Sequence, residues 1–337
     1  MLRTLLALTP VWALVGTYVV SDPYEVIHPD YDSNEPRADY NKEFISFSYH
    51  SVDKYLHHRV SYDYDAFMLG NSKVMGFDLD YWKDICDVSP YLLWGTGEPL
   101  YNIVEKLIFL DTSNASLSNV IILLDDRALA PYHYKFQESF NFISCLHPRI
   151  SQRSAIEYQW MFFKRFMLEG DYSKYLSYVV PAVILRTDEK SLKRSELYVD
   201  PITNGLTMRI FNDTVDQSSL GDIGPLDPAN RQEYFTKRIR WSQLVLLWKI
   251  RGALVRNNSD YKILIPPVLN KKKLHFEDDR KLRHIFGEER VFNFSGNNGI
   301  TRSPDLFFDP IHFRPHVGAM IMDSIYGGRD DVFDTAQ

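Results

Sequence analysis

The stretch YDAFMLGNSKV, residues 64–74, decides the fold class that the sequence predicts. Residues 66–69 form a short apolar run typical of a buried strand, and the tight turn Gly70–Asn71–Ser72 follows it. Ser72 is therefore expected at the carboxyl end of a core strand, where open α/β sheets place their functional residues. If a helix begins there, its amino-terminal dipole favours negative charge beside Ser72. Ser72 is thus a candidate nucleophile, with helix capping as its simpler interpretation.

Predicted strands and helices alternate along the rest of the chain. Residues 100–110 have apolar side chains at helical spacing, and the continuous apolar run NVIILL, residues 119–124, is typical of a parallel strand covered on both faces. Further helices are predicted over residues 151–168, 230–255, 277–285 and 317–325, and further strands over 261–265 and 290–294. This order predicts an α/β fold with a mainly parallel sheet over residues 61–327. Residues 187–216 contain turn signals and are predicted to be an insertion or a hairpin excursion.

Composition limits the classes of function. The chain has 337 residues, of which 45% are hydrophobic and 24% charged, a globular composition. Its net charge of −6 argues against a dedicated nucleic-acid binder. The 21 Tyr, 21 Phe and 6 Trp residues are explained by packing, with a carbohydrate-facing surface as the alternative. Cys86 and Cys145 could pair in an oxidising compartment, but two cysteines carry little weight.

The amino terminus is apolar. Residues 4–20 are 17 uncharged residues after Arg3, which is short for a membrane helix and long for a signal-peptide core. No small-x-small cleavage site precedes Asp22, so residues 1–21 are predicted to be an uncleaved transmembrane anchor. The body would then be periplasmic or extracellular, joined through a linker and extension over residues 22–60. The alternatives are a cleaved signal peptide with a secreted body, or a buried helix of a soluble protein.

A second motif, Asp309–Pro310–Ile311–His312, lies near the carboxyl end. An aspartate three residues before a histidine can place its carboxylate against the imidazole, which fixes the tautomer and stabilises the imidazolium. By itself this spacing is also common around structural histidines. Together with Ser72 it predicts a catalytic triad of Ser72, His312 and Asp309.

Other chemistries have less support from the sequence. A metal site could be assembled from acidic and histidine residues near the predicted strand ends, namely Asp125, Asp126, Asp309, His312 and His316. The chain has neither HxH nor HExxH spacing, so no metal and no cofactor are predicted.

The early Gly70–Asn71–Ser72 block and the late Asp309–His312 block resemble the SGNH (GDSL-like) hydrolase superfamily over about residues 65–325. The resemblance implies a three-layer α/β/α sandwich around a parallel sheet of about five strands. It implies that Ser72 is the nucleophile and that Asp309 and His312 complete the triad. The backbone amides of Ser72 and Gly95 would form the oxyanion hole, with Gly97 as a neighbouring alternative.

The chain departs from that family pattern at two positions. Asn71 stands where the family has aspartate, which is a mild change. Asp125 stands where the family has an asparagine that donates a hydrogen bond to the oxyanion. An ionised carboxylate cannot donate, and the loss of one such donor costs roughly 3 kcal/mol of transition-state stabilisation. Either Asp125 points elsewhere, or another donor substitutes, or activity is weak.

The chain also resembles anchored SGNH-like proteins that work beside membrane-bound O-acyltransferases on exported polysaccharides or wall polymers. This resemblance implies an exported serine esterase or O-acyltransferase acting on an acylated glycan or envelope polymer. The alternative is a catalytically silent scaffold that binds a polymer or a membrane partner. Secondary candidates for substrate binding are Asn71, Asp125, Arg127 and Arg314. Each of the two arginines would hold an anionic substrate group or would pair with a neighbouring aspartate, Asp125 or Asp309.

Overall fold

A computed structural model of the chain describes residues 9–22, 24, 26–29, 31, 47–131, 146–151, 154–169, 197–208 and 232–327. The strands are β1 (Ala66–Gly70), β2 (Pro90–Trp94), β3 (Asn119–Leu123), β4 (Leu197–Val199), β5 (Leu206–Met208), β6 (Asp260–Ile265) and β7 (Val291–Asn293). The helices are α1 (Thr9–Ser21), α2 (Phe47–His58), α3 (Leu79–Cys86), α4 (Leu100–Thr112), α5 (Pro148–Ser151), α6 (Ala155–Glu169), α7 (Trp241–Arg256), α8 (Phe276–Phe286) and α9 (Pro315–Gly327). Short 3₁₀ turns cover Ser72–Gly76, Glu288–Arg290 and Pro304–Leu306.

A five-stranded parallel sheet with the order β2-β1-β3-β6-β7 forms the centre of the structure. The predicted α/β class with a parallel sheet is therefore confirmed. After β1 the chain adds β2 on one side and then returns to add β3 on the other. This reversal opens a crevice at the carboxyl ends of β1 and β3, where open α/β sheets bind ligands.

Apolar side chains fill a core on each face of the sheet. Phe67 and Leu69 of β1 enter one core together with residues of α2, α4, α7 and α8. Ala66 and Met68 enter the other core together with residues of α3 and α9. Strands covered on both faces read as continuous apolar runs, which is why β1 and β3 were recognisable in the sequence.

The helix predicted over residues 230–255 is wrong in its first half. Residues 232–240 are not helical, and α7 begins only at Trp241. The backbone N–H groups of Arg238 and Ile239 donate to the Asp278 carboxylate, at 2.6 and 3.1 Å. Phe235 donates its N–H to the Lys273 carbonyl at 2.8 Å. These tertiary acceptors replace the intrahelical ones, and the apolar spacing could not reveal them.

The described part of the excursion at residues 187–216 is the antiparallel hairpin β4–β5. Its turn docks on the edge strand β2: the Leu92 N–H donates to the Thr203 carbonyl at 3.0 Å, and the Asn204 side-chain amide donates to the Leu92 carbonyl at 2.8 Å. The hairpin therefore covers backbone groups of an edge strand that would otherwise be unpaired. Residues 187–196 and 209–216 lie outside the described residues.

The amino-terminal segment is described from Thr9 onward. Helix α1 has 13 residues, and its Tyr18 packs against Phe163 and Phe166 of α6, with ring centroids 5.3 and 5.4 Å apart. Over the described ranges, every helix is either too short or too polar to cross a membrane. Helix α2, within the predicted extension at residues 22–60, contributes Val52 and Tyr55 to the core of the domain. Cys86 is a free thiol, and Cys145 lies outside the described residues.

Candidate active site

Ser72 lies where β1 ends, as the first residue of a 3₁₀ turn rather than of an α-helix. Asn71 caps this turn: its side-chain Oδ1 accepts from the Lys73 N–H at 3.2 Å, and its carbonyl accepts from the Val74 N–H at 3.1 Å. In the described part of the chain no acceptor is found for the Ser72 N–H. The turn is therefore held by hydrogen bonds to Asn71, and the backbone N–H of Ser72 remains available to a ligand.

His312 lies in the loop before α9, where its position is fixed from two sides. The Phe308 ring stacks on the imidazole, with centroids 5.3 Å apart and planes at 8°. Asp309 accepts the backbone N–H groups of Ile311 and His312 on its Oδ1, at 2.8 and 2.9 Å. The other oxygen, Oδ2, is then directed at His312 Nδ1, 2.5 Å away. The DxxH spacing thus produces the local geometry that the sequence predicted.

The structure brings Ser72 to this pair. Ser72 Oγ lies 2.8 Å from His312 Nε2, although 240 residues separate them. Burial opposes ionisation of Asp309, but its hydrogen bonds and its attraction to His312 outweigh burial and lower its pKa below the usual value. An ionised Asp309 accepts the proton on Nδ1, which leaves Nε2 to accept from the Ser72 hydroxyl. The geometry is that of a nucleophile, a base and the group that orients the base.

Two glycines allow the halves of the site to approach. A Cβ on Gly318 of α9 would lie 1.9 Å from the Gly76 carbonyl oxygen, and one on Gly76 would lie 2.3 Å from the Phe313 ring. Neither contact leaves room for a side chain. The turn that carries Ser72 is therefore packed directly on the helix and loop that carry His312.

Asp125 lies just beyond β3, buried at the edge of the site. Its Oδ2 forms an ion pair with Lys73 Nζ, and its Oδ1 accepts the Ala128 N–H at 2.7 Å. Burial opposes ionisation of Asp125, but the Lys73 ammonium and hydrogen bonds from Ala128 and Asn71 outweigh burial and lower its pKa. Asp125 is thus a paired carboxylate, and the pairing predicted for it with Arg127 is replaced by Lys73.

The loop after β2 approaches the same edge. The Gly95 N–H donates to the Gly70 carbonyl at 3.4 Å, so the amide that the resemblance assigns to the oxyanion hole is already hydrogen-bonded to the end of β1. A Cβ on Gly95 would lie 2.8 Å from Ser48 Cβ, which explains the need for glycine. Gly97 has φ of +60° and shapes the turn that follows.

The two arginine candidates differ in their surroundings. Arg127 is exposed, and it makes no ion pair with any residue that the structure describes. Its neighbour Asp126 is held by Arg238 through two hydrogen bonds, at 2.8 and 2.9 Å. Arg314 is buried, and its backbone N–H donates to the Leu306 carbonyl at 2.9 Å, just before α9 begins. Arg127 is therefore the accessible one of the two.

A cavity of about 160 Å³ adjoins the triad. Two of its lining residues, Lys73 and Ile311, are the chain neighbours of Ser72 and His312. The remaining lining residues are Asp125, Asp126, Arg127, Phe235, Ile265, Pro266, Val268, Asn270, Leu274 and Ser295. The cavity thus combines apolar and charged lining residues, as ligand sites commonly do.

Lys73 was absent from the candidates drawn from the sequence. A signal for it existed: a lysine directly after the predicted nucleophile, with a carboxylate at the end of the neighbouring strand.

In the described part of the chain, no three His, Cys, Asp or Glu side chains are grouped to hold a metal ion. No protein-family model and no curated protein matches the chain.

Proposed function

We propose that the protein is an SGNH-like serine esterase or O-acyltransferase that works through Ser72, His312 and Asp309. The observation that carries the proposal is the continuous hydrogen-bonded series from Ser72 Oγ to His312 Nε2, at 2.8 Å, and from His312 Nδ1 to Asp309 Oδ2, at 2.5 Å. The first distance is within hydrogen-bond reach for proton transfer, and the second is a close contact that orients the imidazole. The apolar cores on both faces of the sheet support the three-layer sandwich that the SGNH resemblance implies.

The chemistry follows from the positions of the protons. His312 Nε2 takes the proton of Ser72 as Oγ attacks the ester carbonyl carbon, and Asp309 stabilises the imidazolium. When the tetrahedral intermediate collapses, His312 returns that proton to the leaving alcohol and an acyl-Ser72 ester remains. Water or a sugar hydroxyl then attacks the acyl carbon and gives its proton to His312, and the second intermediate expels Ser72 Oγ, which takes that proton back. Water gives an esterase, and a hydroxyl acceptor gives a transferase.

The Lys73–Asp125 ion pair bears on whether the site is active or silent. An unpaired Asp125 carboxylate would repel the developing oxyanion, which was the argument for a silent scaffold. Its pairing with Lys73 removes most of that repulsion, and the ammonium is itself a donor beside the nucleophile. The unoccupied Ser72 N–H supplies a further donor. Both features favour an active enzyme.

The proposed substrate is an acylated glycan or envelope polymer. Exposed aromatic rings support a sugar: Tyr234 and Phe276 are 47% and 60% exposed and contact each other with centroids 6.3 Å apart. They lie one and two residues along the chain from the cavity-lining residues Phe235 and Leu274. Export of the body, an amino-terminal anchor and a membrane-bound O-acyltransferase partner belong to the same proposal. They rest on the resemblance and on the apolar residues 4–20.

The test is ester turnover by the full chain, purified in mild detergent. We expect hydrolysis of p-nitrophenyl acetate, or acetyl transfer to an oligosaccharide, that falls by roughly 10³-fold or more in Ser72→Ala. Ser116→Ala removes an exposed hydroxyl elsewhere on the surface and is the matched control. Equal turnover by the wild type and Ser72→Ala would disprove the nucleophile. A wild type without turnover that still binds the oligosaccharide would favour the scaffold.

A further inference from the structure

We propose that Arg127 forms an oxyanion-binding subsite at the mouth of the cavity beside Ser72. The enzyme would then prefer esters whose acylated unit also carries a carboxylate or a phosphate. This inference rests on the proposed function, because it names the class of substrate for the same site.

The acidic groups around the cavity are balanced by cations other than Arg127. The two acidic side chains of the cavity are each neutralised by a specific cation: Asp125 pairs with Lys73, and Asp126 pairs with Arg238. The geometry of the second pair is bidentate, with distances of 2.8 and 2.9 Å, so Arg238 is committed to Asp126. Both carboxylates are therefore already paired, and neither forms an ion pair with Arg127.

Arg127 itself is accessible and has no ionic partner among the described residues. Its side chain is exposed, lines the cavity, and makes no ion pair within the described ranges. Its backbone is held in the turn after β3, where its carbonyl accepts the Ala130 N–H at 3.1 Å and the Asp125 carbonyl accepts the Leu129 N–H at 3.0 Å. A positive charge without a partner is thus presented from a fixed backbone at the rim of the site.

A guanidinium group is chemically suited to binding oxyanions. Its planar fork of N–H donors matches the two oxygens of a carboxylate or a phosphate, and it keeps its charge at every physiological pH. The cavity that Arg127 lines also has apolar lining residues, Ile265, Val268 and Leu274 among them, and so suits a short acyl chain. An ester with an acyl group on those residues and an oxyanion at Arg127 would satisfy both parts of the site.

The experiment compares matched charged and uncharged esters. One pair is acetylated glucuronic acid and its methyl ester, and the other is acetylated glycerol phosphate and acetylated glycerol. The quantity is the ratio of kcat/KM for the charged ester to that for the uncharged one. We expect a wild-type ratio above one that falls about tenfold in Arg127→Gln, the order of one charge-assisted hydrogen bond at a partly exposed site. Arg127→Lys, which keeps the charge and loses the fork, should give an intermediate ratio.

Controls separate Arg127 from a general effect of charge. Arg280→Gln removes one exposed positive charge on α8, a helix that contributes no described lining residue to the cavity, and should keep the wild-type ratio. The wild-type ratio should also fall with added salt, because the interaction is partly exposed. Loss of preference in the glucuronate pair alone identifies a carboxylate, and loss in the phosphate pair alone identifies a phosphate.

An equal wild-type kcat/KM for charged and uncharged esters, or an unchanged ratio in Arg127→Gln, would overturn the subsite. If the wild type turns over no ester at all, the proposed function fails separately. The subsite is then judged by calorimetric binding of glucuronate and glycerol phosphate to the wild type and to Arg127→Gln. Binding that is weaker in the variant supports the subsite, and equal or absent binding overturns it.

Discussion

Two buried lysine–carboxylate pairs lie near the carboxyl edge of the sheet, and they differ in what they can touch. Lys106 and Glu98 are fully buried, with Nζ and Oε2 2.7 Å apart. Lys73 and Asp125 are nearly as buried, but both also line the cavity beside Ser72. The pairs are chemically alike, so their difference in access separates a structural role from a functional one.

The Lys106–Glu98 pair is completed entirely by the protein. Lys106 Nζ also donates to the Trp94 carbonyl at 3.0 Å, and Glu98 Oε1 accepts from the Ser48 hydroxyl at 2.8 Å. Burial lowers the pKa of Lys106, although Glu98 opposes that change. The network joins the end of β2, the loop that follows it and helices α2 and α4. Its effect is therefore expected on stability alone.

The Lys73–Asp125 pair is completed from one side only. The Asp125 carboxylate is satisfied by Lys73 and by the Ala128 N–H, whereas the Lys73 ammonium has further N–H donors, and Lys73 lines the cavity. A ligand that enters the cavity can meet these groups. The same type of ion pair thus contributes to the electrostatics of the site when it borders a cavity.

The largest effect is expected for Lys106→Met, which leaves the Glu98 carboxylate buried and without its cation. Removing one partner of a buried pair destabilises a protein by about 3–5 kcal/mol. Urea unfolding followed by circular dichroism measures this change. The double variant Lys106→Met/Glu98→Gln removes both charges and should recover much of the loss, because the remaining amide can still accept from Ser48. An unfolding midpoint of Lys106→Met equal to that of the wild type would contradict the structural role of this pair.

An intermediate effect, on catalysis, is expected for Lys73→Met. Its Asp125 carboxylate would then face the developing oxyanion without a counter-charge, and the ester kcat should fall by roughly 10²-fold, as when one oxyanion donor is lost. Steady-state turnover of p-nitrophenyl acetate, at a temperature where the variants remain folded, measures this fall.

An amide in place of the Asp125 carboxylate should reverse the loss of kcat. In Lys73→Met/Asp125→Asn the carboxylate becomes a neutral donor, and we expect most of the lost kcat to return. Lys83→Met, at an exposed position on α3, is the control for the loss of a lysine charge. If the double variant is as slow as the single one, repulsion by Asp125 is not the cause.

The sequence was sufficient to predict what depends on local pattern. Continuous apolar runs predicted β1 and β3, and the DxxH spacing predicted the Asp309–His312 contact, because both are set by residues close together in the chain. The contact between Ser72 and His312 required the resemblance as well, because no local pattern joins residues 240 positions apart.

The sequence was insufficient where distant groups compete for the same atoms. The partner of Asp125 was expected to be Arg127, two residues away, but β1 and β3 are adjacent in the sheet and bring Lys73 to it. The start of α7 was missed for the same reason, since Asp278 takes the amides of Arg238 and Ile239. In both cases a buried carboxylate selects its partner in three dimensions.

The smallest effect is expected on the stability of the protein in acid, and it tests the Lys73–Asp125 pair through its carboxylate. The pKa of Asp125 is lower in the folded protein than in the unfolded chain, where aspartate titrates near pH 4. The pair therefore contributes stability above about pH 4 that is lost as the pH falls through the folded pKa, because the unfolded state takes up the proton first. Asp125→Asn should be less stable than the wild type at pH 6 and should lose less stability between pH 5 and pH 3. Urea unfolding midpoints across that range measure how the stability of the wild type and of Asp125→Asn changes with pH.

Asp305→Asn changes an exposed carboxylate that makes no ion pair within the described ranges, and its stability should change with pH as that of the wild type does. A wild-type change of stability with pH in Asp125→Asn would mean that the acid sensitivity comes from other carboxylates, Asp309 among them, whose pKa is also lowered in the folded protein.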